Sequence, residues 1–118
     1  MGFVHVQAGI SNAESPGREE RIELLVDTGA TLSVIPRSVL VNLGVRQIGR
    51  RRFKEFGGVI ERDTANVLMR YDAAVAGVTA IFGEDGDTLV MGVTTLETLG
   101  YQVDPVAGEL RRTEMLQL

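Results

Sequence analysis

The chain has 118 residues, of which 44% are hydrophobic and 24% are charged, so we treat residues 1–118 as a single globular domain with one modest core. Its net charge of −4 gives no basic footprint for nucleic acid or for an anionic membrane, and no apolar run is long enough to span a bilayer. Cysteine is absent, which excludes disulfides and thiol nucleophiles and removes the commonest zinc sites. We therefore expect a cytoplasmic protein.

Residues 3–6 alternate between apolar and polar side chains, which predicts an opening strand. His5 lies in this strand and is the one histidine of the chain, so a single chain builds neither a Ser-His-Asp nor a Cys-His catalytic arrangement. We interpret His5 as a surface residue, because no cluster of further metal ligands accompanies it. Residues 11–17 are small or turn-forming and predict a loop. No metal or cofactor is expected.

The most informative stretch is a predicted strand that starts near Glu20 and ends on Asp27, followed by Thr28, Gly29 and Ala30. Gly29 allows the unusual backbone angles of a sharp turn. A carboxylate held on such a turn at the edge of an apolar core is poorly solvated, which makes Asp27 a candidate for catalysis. The simpler alternative is that Asp27 caps a turn, since an Asp-Thr-Gly tripeptide also arises by chance.

The chain after this turn is predicted to be mostly β. Residues 32–35 predict a short strand, and Pro36 is well placed as the first residue of a helix that Gly44 ends. The middle of the chain then follows a β pattern. Within it, Gly57 and Gly58 lie between two extended arms and predict a hairpin turn, for which an ordinary surface hairpin is the simpler alternative.

Three further features of the middle region have simple interpretations. The basic run at residues 50–52 is interpreted as a solvated strand face rather than an RNA surface, because it lacks interleaved aromatic residues. Two later strands are joined by a turn either at residues 72–73 or at residues 76–77, and both positions remain open. Residues 83–87 are acidic and glycine-bearing, but the distal glutamate of a calcium loop is missing, so we predict a plain turn.

A second hydrophobic strand reaches a glycine near the end of the chain. Val90, Met91 and Gly92 lead into a predicted helix, which starts with a capping box formed by Thr94 and Glu97.

The chain therefore repeats one plan: a hydrophobic strand reaching a glycine, a short connection, a helix, then Leu-Gly. The two copies end at residues 43–44 and 99–100. A final hairpin pairs residues 101–103 with residues 109–111, and Asp104 is interpreted as its turn residue.

This arrangement resembles the retropepsin-like aspartic proteases, and more narrowly their small cellular or prokaryotic members rather than a viral enzyme. The resemblance covers residues 21–110 and rests on Asp-Thr-Gly-Ala at residues 27–30 and on the hydrophobic-hydrophobic-Gly motif at residues 90–92. It implies a mostly β fold, a closed β-barrel with one or two short helices, and a homodimer. It also implies that the glycine-tipped hairpin is a flap that closes over a bound peptide. The flap residues so implied are Phe56, Gly57, Gly58 and Val59.

The resemblance implies an aspartic endopeptidase, whose chemistry needs two carboxylates that share one proton. This chain has a single Asp-Thr-Gly. A twofold homodimer would place Asp27 beside its own copy, because such an interface brings identical residues together at the axis. By resemblance, Thr28 would lock the two turns through its hydroxyl, and Gly29 would offer its backbone to a peptide or protein substrate. The alternative is a catalytically silent dimerisation or peptide-binding module that keeps the fold.

Two positions depart from the viral pattern. Thr31 follows Ala30 where viral enzymes commonly carry an acid, and Val93 follows Gly92 where they commonly carry an arginine. Because both charges are missing together, a salt bridge is absent here rather than broken. The tail, residues 111–118, either enters an intersubunit sheet or is a loose end.

Overall fold

The structure is a computed structural model and describes residues 3–114 and residue 117. This part of the chain is mostly β and contains nine strands and two short helices. In chain order they are β1 (His5–Asn12), β2 (Glu19–Val26), β3 (Ser33–Pro36), α1 (Arg37–Asn42), β4 (Gly49–Glu55), β5 (Gly58–Tyr71), β6 (Ala74–Gly83), β7 (Val90–Met91), α2 (Val93–Leu99), β8 (Tyr101–Asp104) and β9 (Glu109–Arg112).

Seven of these strands form one sheet, which curls into a nearly closed barrel. Its strand order is β3-β6-β5-β1-β2-β7, and β4 pairs with β5 beside this path. β2 pairs with β7 and β3 with β6 in parallel, whereas the other pairings are antiparallel. β8 and β9 form a separate two-stranded sheet. The predicted mostly β barrel with two short helices is confirmed.

The core fills the inside of the barrel and is built from alternate residues of the strands. In β5, for example, Ala65, Val67 and Met69 are fully buried, whereas Asn66 and Arg70 are exposed. Burying one large aliphatic side chain contributes roughly 1.5–3 kcal/mol, so a one-residue slip of a strand would be strongly unfavourable. The alternation therefore fixes the register that positions the strand ends. The other large apolar side chains that are fully buried are Ile10, Leu24, Ile35, Leu40 and Met91.

β5 is 14 residues long and belongs to two structures. Its second half pairs with β6 and β1 inside the barrel, whereas its first half pairs only with β4 and leaves the barrel near Thr64. We call residues 50–62 the hairpin arm. The predicted hairpin is confirmed: Glu55 pairs with Gly58, so the turn is made by Phe56 and Gly57.

Two predicted boundaries are corrected by the structure. Ser11 and Asn12, predicted in a loop, are the end of β1, because they pair with Leu68 and Val67 of β5. Pro36 ends β3 and caps α1 rather than being its first residue.

The open choice of turn is also decided. β5 and β6 are joined at residues 72–73, where Asp72 adopts a positive φ of 53°. Gly44 follows α1 with a φ of +72°, as the predicted helix end requires.

The predicted capping box of α2 is wrong. The N-cap is Gly92, and no side chain caps the helix. The Thr94 hydroxyl instead donates to the carbonyl oxygen of Thr31, at 2.7 Å, so a partner far along the chain takes the place of Glu97. Gly100 ends the helix with a φ of +83°, as predicted.

The predicted final hairpin is confirmed as β8 and β9. The Asp104 carboxylate accepts hydrogen bonds from the backbone N–H groups of Val106 and Ala107, so its interpretation as a turn residue is confirmed. Of the tail, residues 111 and 112 belong to β9, whereas residues 115, 116 and 118 lie outside the described residues, so the role of the tail stays a prediction. No helix within residues 3–114 has both the length and the apolar character needed to cross a membrane.

Candidate active site

Asp27 lies directly after β2, on a turn held by backbone hydrogen bonds. Its N–H donates to the carbonyl of Met91 in β7, at 3.0 Å. Its carboxylate oxygen Oδ1 accepts the N–H of Gly29 at 2.9 Å, and its own carbonyl accepts the N–H of Ala30 at 3.2 Å. The side chain is half-buried. The turn therefore fixes the orientation of one carboxylate at the edge of the barrel.

The backbone after Asp27 is hydrogen-bonded to the start of α2. The N–H of Val93 donates to the carbonyl of Ala30 at 2.7 Å, and the N–H of Thr94 donates to the carbonyl of Thr31 at 3.2 Å. The Thr94 hydroxyl donates to the same Thr31 carbonyl. Next to Thr31 and Val93, the two halves of the chain are thus joined by uncharged hydrogen bonds.

Behind this contact lies a buried pair of hydroxyl groups. The side chains of Ser33 and Thr95 are fully buried and lie 2.7 Å apart, oxygen to oxygen. The Ser33 oxygen also accepts the N–H of Gly92 at 3.0 Å. A Cβ atom on Gly92 would lie 2.6 Å from the carbonyl of Leu32, so only glycine allows this close approach of the two segments.

A cleft of about 840 Å³ lies between the Asp27 turn and the hairpin arm. Phe53 and Ile60, which pair across β4 and β5, are half-buried on the side of the arm that faces the cleft. Asp27 lies among the lining residues of the barrel side. The remaining apolar lining on that side comes from Ala30, Leu32, Val34, Ile81 and Val90.

The structure brings some of the predicted site residues together in this cleft. Its lining includes Gly29, Phe56 and Val90 in addition to Asp27 and Ala30. The other predicted residues lie around it. Thr28 is exposed on the turn, Gly57, Gly58 and Val59 are exposed at the end of the arm, and Met91 and Gly92 are buried behind Asp27.

Comparison with known proteins gives a structural match and no sequence match. No family model matches the chain, and no curated protein matches it. Among solved structures, it is similar to EIAV protease complexed with the inhibitor HBY-793, with a TM-score of 0.65 and 19% sequence identity. The match covers 87% of this chain and 93% of that one. The chain has a retropepsin-like fold. At this identity the likeness establishes the fold alone, so the chemistry of the site must be argued from its residues.

In this retropepsin-like fold, the cleft side of the hairpin arm is joined to the barrel by an ion pair. Arg62 of β5 donates from Nε and Nη2 to the two carboxylate oxygens of Asp87, each at 2.8 Å. Hydrogen bonding by Arg62 holds the pKa of Asp87 below its usual value, and hydrogen bonding by Asp87 raises the pKa of Arg62. Both residues line the cleft.

A second ionic cluster lies at the root of the arm. Asp63 accepts hydrogen bonds from Arg37 of α1 and from Arg50 of β4. Arg37 also binds Glu84 and lies 4.5 Å from the ring centre of Phe82. Hydrogen bonding by Arg37, and next by Arg50, lowers the pKa of Asp63, and hydrogen bonding by Arg37 lowers that of Glu84.

Several residues that hold the site were missed by the sequence reasoning. Ser33 is a small polar residue in a largely apolar stretch, which is the one signal that could have identified it, whereas Thr95 lies among other polar residues of α2. Thr94 was given a local role that it does not have. Arg62 and Asp87 carry no local signal, because their contact spans 25 positions of the chain.

Proposed function

We propose that the chain is an aspartic endopeptidase that works as a twofold homodimer. The observation that carries the proposal is the position of Asp27. A carboxylate oriented by the backbone N–H of Gly29 lies in a cleft under a glycine-tipped hairpin, in a retropepsin-like fold. The similar EIAV protein is a protease bound to an inhibitor, which is consistent with this kind of function.

The chemistry requires the second copy of the chain. Two Asp27 side chains would share one proton, so that one carboxylate acts as base toward a water molecule while the other group polarises the scissile carbonyl. One chain supplies one of these groups, and a twofold interface supplies the other. Thr28 and Gly29 are exposed beside Asp27, where Thr28 would lock the two turns through its hydroxyl and Gly29 would bind the substrate backbone.

The hairpin arm would act as the flap. Phe56 is fully exposed at its tip and Val59 is 49% exposed beside it. Closing over a peptide would remove this apolar surface from water, which favours the closed arm when substrate is present. In the open state the same surface is hydrated.

The hydrogen bonds behind Asp27 support the proposal by keeping the site rigid without the missing charges. The contacts from Val93 and Thr94 hold the carbonyls of Ala30 and Thr31 in place. A catalytic group has to be held in its productive geometry by groups that are themselves fixed. Because these hydrogen bonds join uncharged groups, they are not weakened by protonation in the acid pH range in which a carboxylate pair would work.

A catalytically silent dimerisation or peptide-binding module is the second candidate function, because it would keep the same fold. A single experiment separates the two. The wild-type chain is incubated with a diverse peptide mixture over a range of pH, and the products are read by mass spectrometry. Asp27→Asn serves as the test variant, and Asp104→Asn, which changes a turn carboxylate of β8, serves as the matched control.

We expect the wild type and Asp104→Asn to cleave peptides and Asp27→Asn to lose at least about a factor of 10² in rate, because an amide is nearly isosteric but cannot exchange the proton. Cleavage by Asp27→Asn at the wild-type rate would refute the assigned chemistry. Peptide binding without cleavage by the wild type would favour the silent module. The cytoplasmic location stays a prediction.

A further inference from the structure

We propose that Arg62 and Asp87 are positioning residues that tether the hairpin arm to the barrel and so set how far it opens for substrate; this role rests on the proposed function. The pair joins two segments that would otherwise be separate across the cleft. Arg62 lies in the half of β5 that has left the barrel, and Asp87 lies in the connection between β6 and β7. Lifting the arm at Arg62 therefore requires breaking this contact.

The two side chains are pre-oriented for each other. Nη1 of Arg62 donates to the carbonyl of Glu61 at 2.8 Å, while Oδ2 of Asp87 also accepts the N–H of Glu84 at 2.8 Å. Both carboxylate oxygens are engaged by the guanidinium. Because the charged groups already satisfy each other, the pair is suited to hold the arm rather than to bind a charged group of the substrate.

Partial shielding from water makes this pair stronger than an ordinary surface pair. The side chains of Arg62 and Asp87 are 20% and 18% exposed. Other ion pairs of the same sheet are more open, such as that between Arg70 and Glu19, whose side chains are 51% and 36% exposed. Exposed pairs contribute little, whereas bidentate pairs with restricted solvent access hold a defined geometry.

The position of the tether along the arm decides which residues remain free to move. The neighbouring Asp63 is bound to α1 and β4 at the root, where the strand enters the barrel. Arg62 is the next residue toward the tip, and it is bound on the cleft side by Asp87. Residues 52–60 extend beyond both contacts and are the part of the arm that swings. The tether thus shortens the moving segment and keeps Phe53 and Ile60 over the cleft.

The first test measures opening of the arm without using activity. Amide hydrogen exchange is followed residue by residue in the full chain for the wild type, Arg62→Met, Arg62→Lys and Asp87→Asn. Arg70→Met is the matched control, because it removes a paired cation from the same strand β5 away from the cleft. We expect exchange in residues 52–60 to become about tenfold faster in Arg62→Met and Asp87→Asn, with a smaller change in Arg62→Lys, which keeps the charge but loses the bidentate geometry.

Exchange of the barrel amides in β1 and in residues 65–70 should stay at its wild-type rate in every variant, and the arm should be unaffected by Arg70→Met. The exchanged pair Arg62→Asp with Asp87→Arg should restore part of the protection. The proposed role of the pair would be refuted if the variants left the exchange rates of the arm unchanged. It would also be refuted if exchange became faster to the same extent in the arm and in the barrel. These outcomes hold whether or not the chain cleaves peptides.

A kinetic readout then tests the link to turnover. If the tether positions the arm, its loss should raise KM several-fold and change kcat little, because a looser arm must lose more freedom when it closes on a peptide. A fall in kcat at constant KM would contradict the proposal that Arg62 and Asp87 act by positioning the hairpin arm. Absence of cleavage by the wild type would refute the proposed function while leaving the exchange result as the test of the tether.

Discussion

The hydroxyl groups of Ser33 and Thr95 share a 2.7 Å hydrogen bond in the core, although the residues are 62 positions apart in the chain. Ser33 follows the Asp27 turn, and Thr95 lies in α2, which follows the glycine motif of the second half. The Ser33 oxygen also accepts the N–H of Gly92, so one hydroxyl joins the two halves behind the candidate catalytic residue. The geometry of Asp27 consequently depends on a contact that involves neither its neighbours in sequence nor a charge.

The first prediction concerns this buried pair. Thr95→Val keeps the shape of the side chain but leaves the Ser33 hydroxyl without its partner, so the free energy of unfolding should fall by about 1–3 kcal/mol. Ser33→Ala should cost more, because it also leaves the buried N–H of Gly92 without its acceptor, and the double variant should cost less than the sum of the two. Urea denaturation measures all three. Additive losses would show that the hydroxyls do not act as a pair.

How far the sequence predicts the structure depends on the range of each interaction. The Asp27 turn, the hairpin at Gly57 and the end of α2 at Gly100 follow from local backbone preferences, and the structure has them all. The capping box of Thr94 was wrong because α2 begins at Val93, which places Thr94 inside the helix, where its hydroxyl donates to the distant carbonyl of Thr31.

Contacts between side chains that lie far apart in the chain are the features of the structure that could not be predicted from a single sequence. Ser11 and Asn12 look like loop residues, yet β5 and a buried hydrogen bond from Asn12 to the carbonyl of Leu43 draw them into β1. The Arg62–Asp87 pair is of the same kind, since neither residue has a feature that indicates its partner. The roles of the site residues themselves stay predictions.

The second prediction concerns the pH dependence of peptide cleavage. Two like carboxylates held close together cannot both ionise easily, so the singly protonated pair exists over a limited pH range. Activity should be bell-shaped, with its maximum on the acid side of neutral, and a metal chelator should have no effect. A rate that keeps rising into alkali would indicate another mechanism.

The third prediction concerns acid stability. Folding lowers the pKa values of Asp63, Glu84 and Asp87 from ordinary values of 3.8, 4.5 and 3.8. The unfolded chain therefore binds protons more tightly, so this stabilisation is fully present above those ordinary values and is lost as pH falls through the lowered ones. Urea unfolding as a function of pH should show the loss below about pH 4.

Arg37→Met supplies the control for this acid loss. It removes the hydrogen bonds that lower the pKa of Asp63 and Glu84, so the variant should be less stable near neutral pH and should lose less further stability in acid. An equally steep decline in the variant and in the wild type would assign the acid sensitivity to other groups.

The fourth prediction concerns the tip of the hairpin arm. Gly57 and Gly58 have φ angles of +102° and +149°, which a β-branched residue resists. Replacing both with valine should reduce turnover strongly and stability only modestly, because residues 64–71 keep their own partners in the barrel. Gly108→Val, at a positive φ of 69° in the β8–β9 turn, is the control for strain alone. Turnover equal to that of the control would make the arm a scaffold rather than a flap.

The fifth prediction tests the assembly. Specific activity should fall on dilution below the dimer dissociation constant, because a monomer holds one Asp27. In mixtures of wild type with Asp27→Asn under conditions of subunit exchange, residual activity should follow the square of the wild-type fraction, as random pairing requires. A linear dependence with demonstrated exchange would mean that each chain works alone, and Asp104 would be the next carboxylate to examine.

The shared strand β5 restricts how the hairpin arm can change in length during evolution or design. Phe53 and Ile60 line the cleft as one cross-strand pair, while Glu61, the neighbour of Ile60 in β5, is exposed and does not line it. Adding one residue to each strand at the root would reverse the faces of the residues beyond it, turning Phe53 and Ile60 away from the cleft and Glu61 toward it. Changes in arm length that keep the apolar side chains toward the cleft should therefore add or remove two residues in each strand. Insertions of other sizes should be tolerated only at the tip of the arm.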